Sequence, residues 1–394
     1  MVVDHGHHPY RLSCGRITIR YGNLNAAPQI LWDNTGLISA LNLPTRLEEL
    51  VPQACEALWM LFQEDVDAGY RAADRFFEDF TPSWNSYLSQ ERTPHAIRHW
   101  LQVLSLVRDW ENRSDKSVHK GTPYYFLGAT YIFARDFDLG LRYLYDAIEE
   151  DKRSGTLAGH PDSYRRAPAY KLASLVDDPN NFLYRGVVLP ARTRIDAFLT
   201  EYRAKTNSSI QLADFERKFL SEPTLEFQKL YFVYTLLEMI KLESAWNPLG
   251  TPNDFSKMRN RDVLLDLCLI IDEVLRHNYP PATFISHGVY NLSRSRGWLN
   301  SEDSDHFSLN RHLNPKVSGK KAPKPEVVVP ALLDLSLTYR GAPVSLEMSW
   351  LLLAWHLRNY AAHDLSPQQV LVHRYRQIAQ ALMNALFMSL EVKK

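Results

Sequence analysis

The chain is poor in cysteine, has no excess of either charge and contains no long unbroken apolar run. Its three cysteines, Cys14, Cys55 and Cys268, stand far apart with no Cys-x-x-Cys pair. A disulfide framework and a thiolate zinc site are therefore not indicated, and a reducing, cytoplasmic setting is the expectation. Lys and Arg total 45, as do Asp and Glu, so the formal net charge is zero. The bulk basic excess that grips long nucleic acid is missing, although a local basic groove is still open. No stretch approaches the ~20 uncharged apolar residues of a membrane span, so no membrane partner is expected. The N-terminus also lacks the basic start and apolar run of a signal peptide. What is present is ordinary for a globular chain: 394 residues, 45% hydrophobic and 12% aromatic, enough for two or three separate cores.

Three segments follow from the patterning. Residues 1–40 form a short β-containing lead, because Arg16 to Tyr21 alternates polar and apolar, Gly22-Asn23 offers a turn, and Gln29–Trp32 reads as a second extended piece. His5, His7 and His8 cluster there with no fixed partner. Residues 41–170 read as helical. Leu47, Leu50, Val51, Ala54, Leu58 and Leu61 make one apolar stripe, and Tyr70 to Phe80 predicts a helix stopped by Thr81-Pro82. Pro94 to Trp110 predicts another, with Ile97, Leu101, Leu104 and Trp110 inward and His95 and His99 as exposed or capping residues rather than a zinc pair. Within 122–150, Tyr124, Leu127, Gly128, Tyr131, Gly140 and Ala147 resemble tetratricopeptide spacing, in which small residues let two helices approach. A single copy fits an ordinary helical hairpin equally well.

Asp151–Asn181 is rich in Gly, Pro, Asp, Asn and Ser and predicts an irregular connection. Residues 171–394 then form a second helical domain. Its predicted helices are Ala191–Lys205, Gln211–Leu220, Pro223–Ala245, Asp262–Leu275, Ser345–His363 and Pro367–Leu390. Pro223–Ala245 is apolar almost all round and should be central. Residues 278–330 lack periodicity and predict a long loop. Lys316, Lys320, Lys321 and Lys324 there, with Arg311 and His312, are uninterrupted by any acid and suit an RNA backbone as well as a solvated loop. The fold class is thus mainly α, a helical-repeat-like N-terminal region followed by a helical bundle.

One short stretch carries chemistry. The helix begun near Ser345 has Leu346, Trp350, Leu353 and Leu357 as its stripe and ends in Arg358, Asn359 and His363. An arginine followed at four to six intervening residues by histidine is a loose pattern that Arg92/His99, Arg113/His119 and Arg153/His160 also meet. Requiring Asn after the Arg and Ala before the His leaves Arg358, Asn359, Ala362 and His363, with a chance expectation well under ~0.01 per chain. At about 100° per residue, Asn359 and His363 lie about 40° apart on the helix, but Arg358 lies about 140° from His363.

Arg-Asn-x-x-Ala-His resembles the signature of the HEPN ribonucleases, small helical domains that cut RNA without a metal. The resemblance implies a HEPN-like fold for about the last 200 residues and a homodimer in which two motifs share one cleft. It further implies single-stranded RNA as substrate, no cofactor or metal, and a role in antiviral defence or toxin-type growth arrest. No Gly-rich strand-to-helix loop marks the ligand-sensing Rossmann-like domain often joined to such nucleases, so regulation would fall to a protein partner on the helical N-terminal region. The residue types suit the task. Arginine offers a permanent charge on a fixed fork of donors, and histidine titrates near neutrality. The same residues also suit a plain helix end, where Arg and His satisfy terminal carbonyls and Asp364 could tie them down. A non-catalytic scaffold and a nucleotide-binding module are the alternatives.

Overall fold

In a computed structural model the chain is mainly helical. The structure describes strands within 2–32, then residues 81–245, 254–305, 324–361 and 369–391 apart from 116, together with Asp65 and Phe77. These group into two compact units, Met1–Ala173 and Ser174–Lys394. No described helix is long and apolar enough to cross a membrane.

In the N-terminal unit, β1 (Val2–Asp4), β2 (Tyr10–Cys14), β3 (Ile17–Tyr21) and β4 (Gln29–Trp32) form an antiparallel meander in chain order. Leu12 pairs with Ile19, and Ile19 with Ile30, so one period-2 set aligns across the sheet. The last two strands are those the alternation indicated; β1 and β2 were not anticipated. The histidines at 5, 7 and 8, the stripe 47–61 and most of the helix predicted over 70–80 lie outside the described residues.

Thr81-Pro82, read from sequence as a stop, lies within helix α1 (Thr81–Ser89). Helix α2 (Thr93–Ser114) is where predicted, but its inner face is turned. Ala96, His99, Trp100, Val103, Leu104 and Val107 are buried, whereas Ile97 is half-buried and Leu101 exposed. Trp100 decides this by stacking on Phe126 at 5.2 Å. His99 is consequently sealed beside Trp100 and Tyr87, not exposed, and burial drives its pKa down to about 3.

Helices α3 (Gly121–Phe133) and α4 (Phe137–Leu157) make the hairpin that the small-residue spacing indicated. A Cβ on Gly128 would lie 2.8 Å from the Gly140 carbonyl oxygen, so the two backbones touch there. The connection expected from 151 starts later, because α4 runs on to Leu157. Its polar residues are engaged: Asp151 meets His119 at 3.0 Å, and Arg153 donates to Glu150 at 2.7 Å. A 3₁₀ turn (Ser163–Arg166) and α5 (Pro168–Ala173) close the unit.

The C-terminal unit is a helical assembly of α6 (Leu189–Lys205), α7 (Leu212–Phe215), α8 (Glu226–Ser244) and α9 (Asp254–Asn278), followed by α10 (Ile285–Ser295) and α11 (Pro325–Leu333). A two-stranded ribbon, β5 (Thr338–Tyr339) with β6 (Ala342–Pro343), precedes α12 (Leu346–Ala361), α13 (Gln369–His373) and α14 (Tyr375–Leu390). Helix α8 is largely buried, as its all-round apolarity requires, and every residue of α14 from Ile378 to Leu390 is buried too. The loop predicted over 278–330 is partly helix. Ile285, Val289 and Leu292 recur at helical spacing, and Gly288 lets α10 sit on Leu275, whose Cβ would lie 2.7 Å from a Cβ at 288. Sparse apolar residues and frequent polar ones concealed that period. Helix α9 already includes Asp254, well before the predicted Asp262.

Candidate functional site at the end of α12

Helix α12 begins with the Ser345 hydroxyl accepting from the Met348 amide at 3.2 Å, a side-chain N-cap. Trp350, Leu353 and Leu357 are buried and Leu346 is half-buried, so the apolar stripe anchors the helix against α9, α11 and α14. Its last turn carries Arg358 and Asn359, both half-buried. His363 lies outside the described residues, as do Lys316, Lys320 and Lys321; Lys324 is exposed immediately ahead of α11.

Arg358 reaches toward α9. Its Nε lies 3.4 Å from Asp272 Oδ2, and the other carboxylate oxygen lies 3.2 Å from the Arg276 Nε. Asp272 is 3% exposed, while 32% of the Arg358 side chain is open to solvent. The carboxyl pKa is raised because burial disfavours the charged form, and the two guanidinium groups oppose that shift. Within Arg358 the burial is uneven. The Nε is sealed and meets Asp272 as an ion pair without a hydrogen bond, whereas the two terminal nitrogens are not among the sealed atoms and make no hydrogen bond with a described residue.

Two neighbours set the electrostatics. Cys268, one turn before Asp272, is fully buried and its thiol is pushed well above the ordinary range by burial. His356, one turn before Asn359 and Tyr360, has a sealed Nε2 that accepts and donates no hydrogen bond, and burial lowers its pKa to about 4. Its ring lies against Trp355 at 5.6 Å. A histidine with its pKa lowered in this way stays neutral at pH 7.

Asp272 and Arg276 were not singled out from sequence. The available signal was an aspartate inside the run Leu267, Cys268, Ile270, Ile271, Val274, Leu275, followed four residues on by arginine. The looser arginine–histidine matches are spent elsewhere. Arg153 is bound to Glu150 and Ser117, His119 to Asp151, and His99 is in the core. Among the described residues, no three His, Cys, Asp or Glu side chains gather as metal ligands would. No protein-family model, characterised protein or solved structure matches this chain, so its likeness to the HEPN ribonucleases is carried by residues 358–363 alone.

Proposed function

We propose that the protein is a metal-independent endoribonuclease acting on single-stranded RNA as a homodimer. The 2′-hydroxyl attacks the adjacent phosphorus, the 2′-O–P bond forms as the P–O5′ bond breaks, and the products are a 2′,3′-cyclic phosphate and a 5′-hydroxyl. The proton leaving the 2′-oxygen goes to one His363 and the departing 5′-oxygen takes one from the partner copy's equivalent, while Arg358 bears on the phosphoryl oxygens and Asn359 orients the histidine. Lys316, Lys320, Lys321 and Lys324 hold the RNA backbone. Antiviral defence or toxin-type arrest is the corresponding biological role, with regulation through a protein bound to the N-terminal unit.

The observation that supports this reading is the way Arg358 is held. Asp272 draws the guanidinium by charge at Nε, without a hydrogen bond, and the terminal nitrogens, which bond no described residue, suit a phosphate. His356, with its pKa lowered to about 4 and its Nε2 sealed, is a poor base near neutral pH. The test is cleavage of single-stranded RNA in excess EDTA. Arg358→Ala and His363→Ala should each lower the rate by about 10²–10⁴-fold, and DNA should be inert. Activity surviving both substitutions, or a strictly monomeric active species, refutes the assignment.

A second reading rests on the same ion pair. Asp272 ties α9 to α12 through Arg358, with Arg276 of α9 supporting the carboxylate, which is what a non-catalytic helical scaffold would use to lock its core. It requires no cleavage by the wild type and a loss of stability in the arginine variant.

A further inference from the structure

Two arginines from different helices meet one carboxylate. Asp272 is 3% exposed, and its oxygens lie 3.2 Å from the Arg276 Nε and 3.4 Å from the Arg358 Nε. Arg276 stands in the last turn of α9 and Arg358 in the last turn of α12, so two helix ends bring their guanidinium groups to one point. Arg358 is the group read as a phosphate contact; Arg276 has no ligand assigned to it.

A purely structural lock would be built otherwise. The Arg276 Nε, the Arg358 Nε and the Asp272 Oδ1 are all sealed from solvent, and none of the three forms a hydrogen bond. A buried ion pair repays its desolvation only with well-directed bonds, and one guanidinium suffices to neutralise one carboxylate. Here two are spent on it, and the sealed atoms gain no directed bond. The pair carries one more positive charge than the carboxylate it surrounds.

The excess charge is accessible. The Arg276 side chain is 34% exposed and that of Arg358 32%. Neither terminal nitrogen of Arg358 is sealed or bonded to a described residue, and the same holds for the Arg276 Nη1. The Arg276 Nη2 donates to Glu273, one turn back on α9. Glu273 is 42% exposed, and an exposed pair of this kind contributes little, so an incoming anion displaces it at small cost. An arginine in a last turn also complements the helix dipole, which accounts for a cation at 276 but not for its convergence with an arginine from another helix.

We infer that Arg276 binds the phosphodiester backbone of single-stranded RNA beside Arg358, as a second guanidinium of the same site. Asp272 is the counter-charge that draws both together, and Glu273 is a displaceable anion at the rim. For its ligand the inference rests on the reading of α12 as an RNA-cutting site. Fixed forks of donors suit phosphate oxygens, and contacts of this type set position rather than sequence preference.

The test is fluorescence-anisotropy titration of the full chain with a labelled single-stranded 2′-O-methyl oligonucleotide, which has no free 2′-hydroxyl and is not cut. Arg276→Gln should weaken binding about three- to tenfold. It should also make the salt dependence shallower by roughly 0.7 log–log units, the share of one phosphate contact on a single strand. Glu273→Ala should tighten binding by up to about fivefold, because it removes the rim anion and releases the Arg276 Nη2. A structural role for Arg276 does not produce that gain, so the second variant decides the matter if Arg276→Gln does not fold. No binding by the wild type, unchanged affinity and slope in Arg276→Gln, or binding no tighter in Glu273→Ala overturns the inference. The two readings fail separately. Cutting of RNA by the wild type with binding unaltered in Arg276→Gln removes Arg276 alone. The expected binding pattern without any cutting keeps the arginine pair as an RNA-binding site and removes the nuclease.

Discussion

Replacing Arg358 with methionine removes the charge but keeps most of the apolar stem, so its effect reports the contact with Asp272. At 3.4 Å and an effective dielectric of about 20, the bare attraction is about 5 kcal/mol. Most of that is offset by desolvation and by the open third of the Arg358 side chain, and Arg276 continues to hold the carboxylate. The net cost should be about 1–2 kcal/mol, between an exposed pair and a fully sealed one. For a unit of this size that is a drop of roughly 2–8 °C in melting temperature. The pH dependence has a definite sign. Asp272 titrates above its unfolded value, so in the window above the ordinary carboxylate range the folded state binds more protons, and its burial penalty eases as pH falls. Without Arg358 that pKa rises further. The destabilisation should therefore be largest at pH 7.5, shrink toward pH 5, and largely vanish in an Asp272→Asn background. Thermal melts of the two single variants and the double variant complete the cycle. An unchanged melting temperature at pH 7.5 with zero coupling would show that Arg358 and Asp272 do not interact, and the anchoring argument would fail with it.

Other outcomes are as specific. Gly128→Ala and Gly140→Ala should each cost about 1–3 kcal/mol, because the added Cβ at 128 meets the Gly140 carbonyl oxygen at 2.8 Å and that at 140 meets Ile132 Cγ1 at 2.5 Å and the Gly128 carbonyl oxygen at 3.1 Å; denaturant melts measure both, and an unchanged midpoint in either would refute the close approach. His99 is neutral in the fold with a pKa near 3, below its unfolded value, so its contribution is present above about pH 6.5 and is lost as pH falls toward 3. His99→Leu should flatten that acid limb, and an unchanged acid titration curve would argue against burial of the ring. Replacing Lys316, Lys320, Lys321 and Lys324 with alanine should make the salt dependence of RNA binding shallower by roughly 0.7 log–log units per lysine; an unchanged slope removes them from the interface.

The helical class was legible because periodicity survives wherever a helix has one apolar face. Leu127, Gly128, Gly140 and Ala147 announced the α3–α4 hairpin, and Leu225 to Ile240 announced a central helix. Reading failed where a polar residue was satisfied by another far along the chain. Residues 151–153 looked like loop, yet His119 and Ser117 engage Asp151 and Arg153, and α4 continues through them. Helix α2 was turned by about one residue because aliphatic residues were weighed equally with Trp100, whose stacking on Phe126 selects the inner face. Periodicity says which residues share a face; it does not say which of two neighbouring faces finds an aromatic partner.

The same limit governs the site. Arg358 and Asn359 were visible as polar groups at the end of an apolar helix, but Asp272 lies 86 positions earlier and its pairing is a tertiary fact. That pairing sets the two readings of Arg358 less far apart than they first stand. A strut needs only the inner nitrogen, which is where Asp272 lies; a phosphate clamp needs the outer two, which the strut leaves over. Lysine, with one nitrogen, could serve in only one of these roles. Arg358→Lys is therefore the discriminating substitution: it should keep most of the stability that methionine forfeits, while cleavage falls nearly as far as in Arg358→Ala. Retention of both stability and cleavage by lysine would mean that the fork geometry has no part in the chemistry.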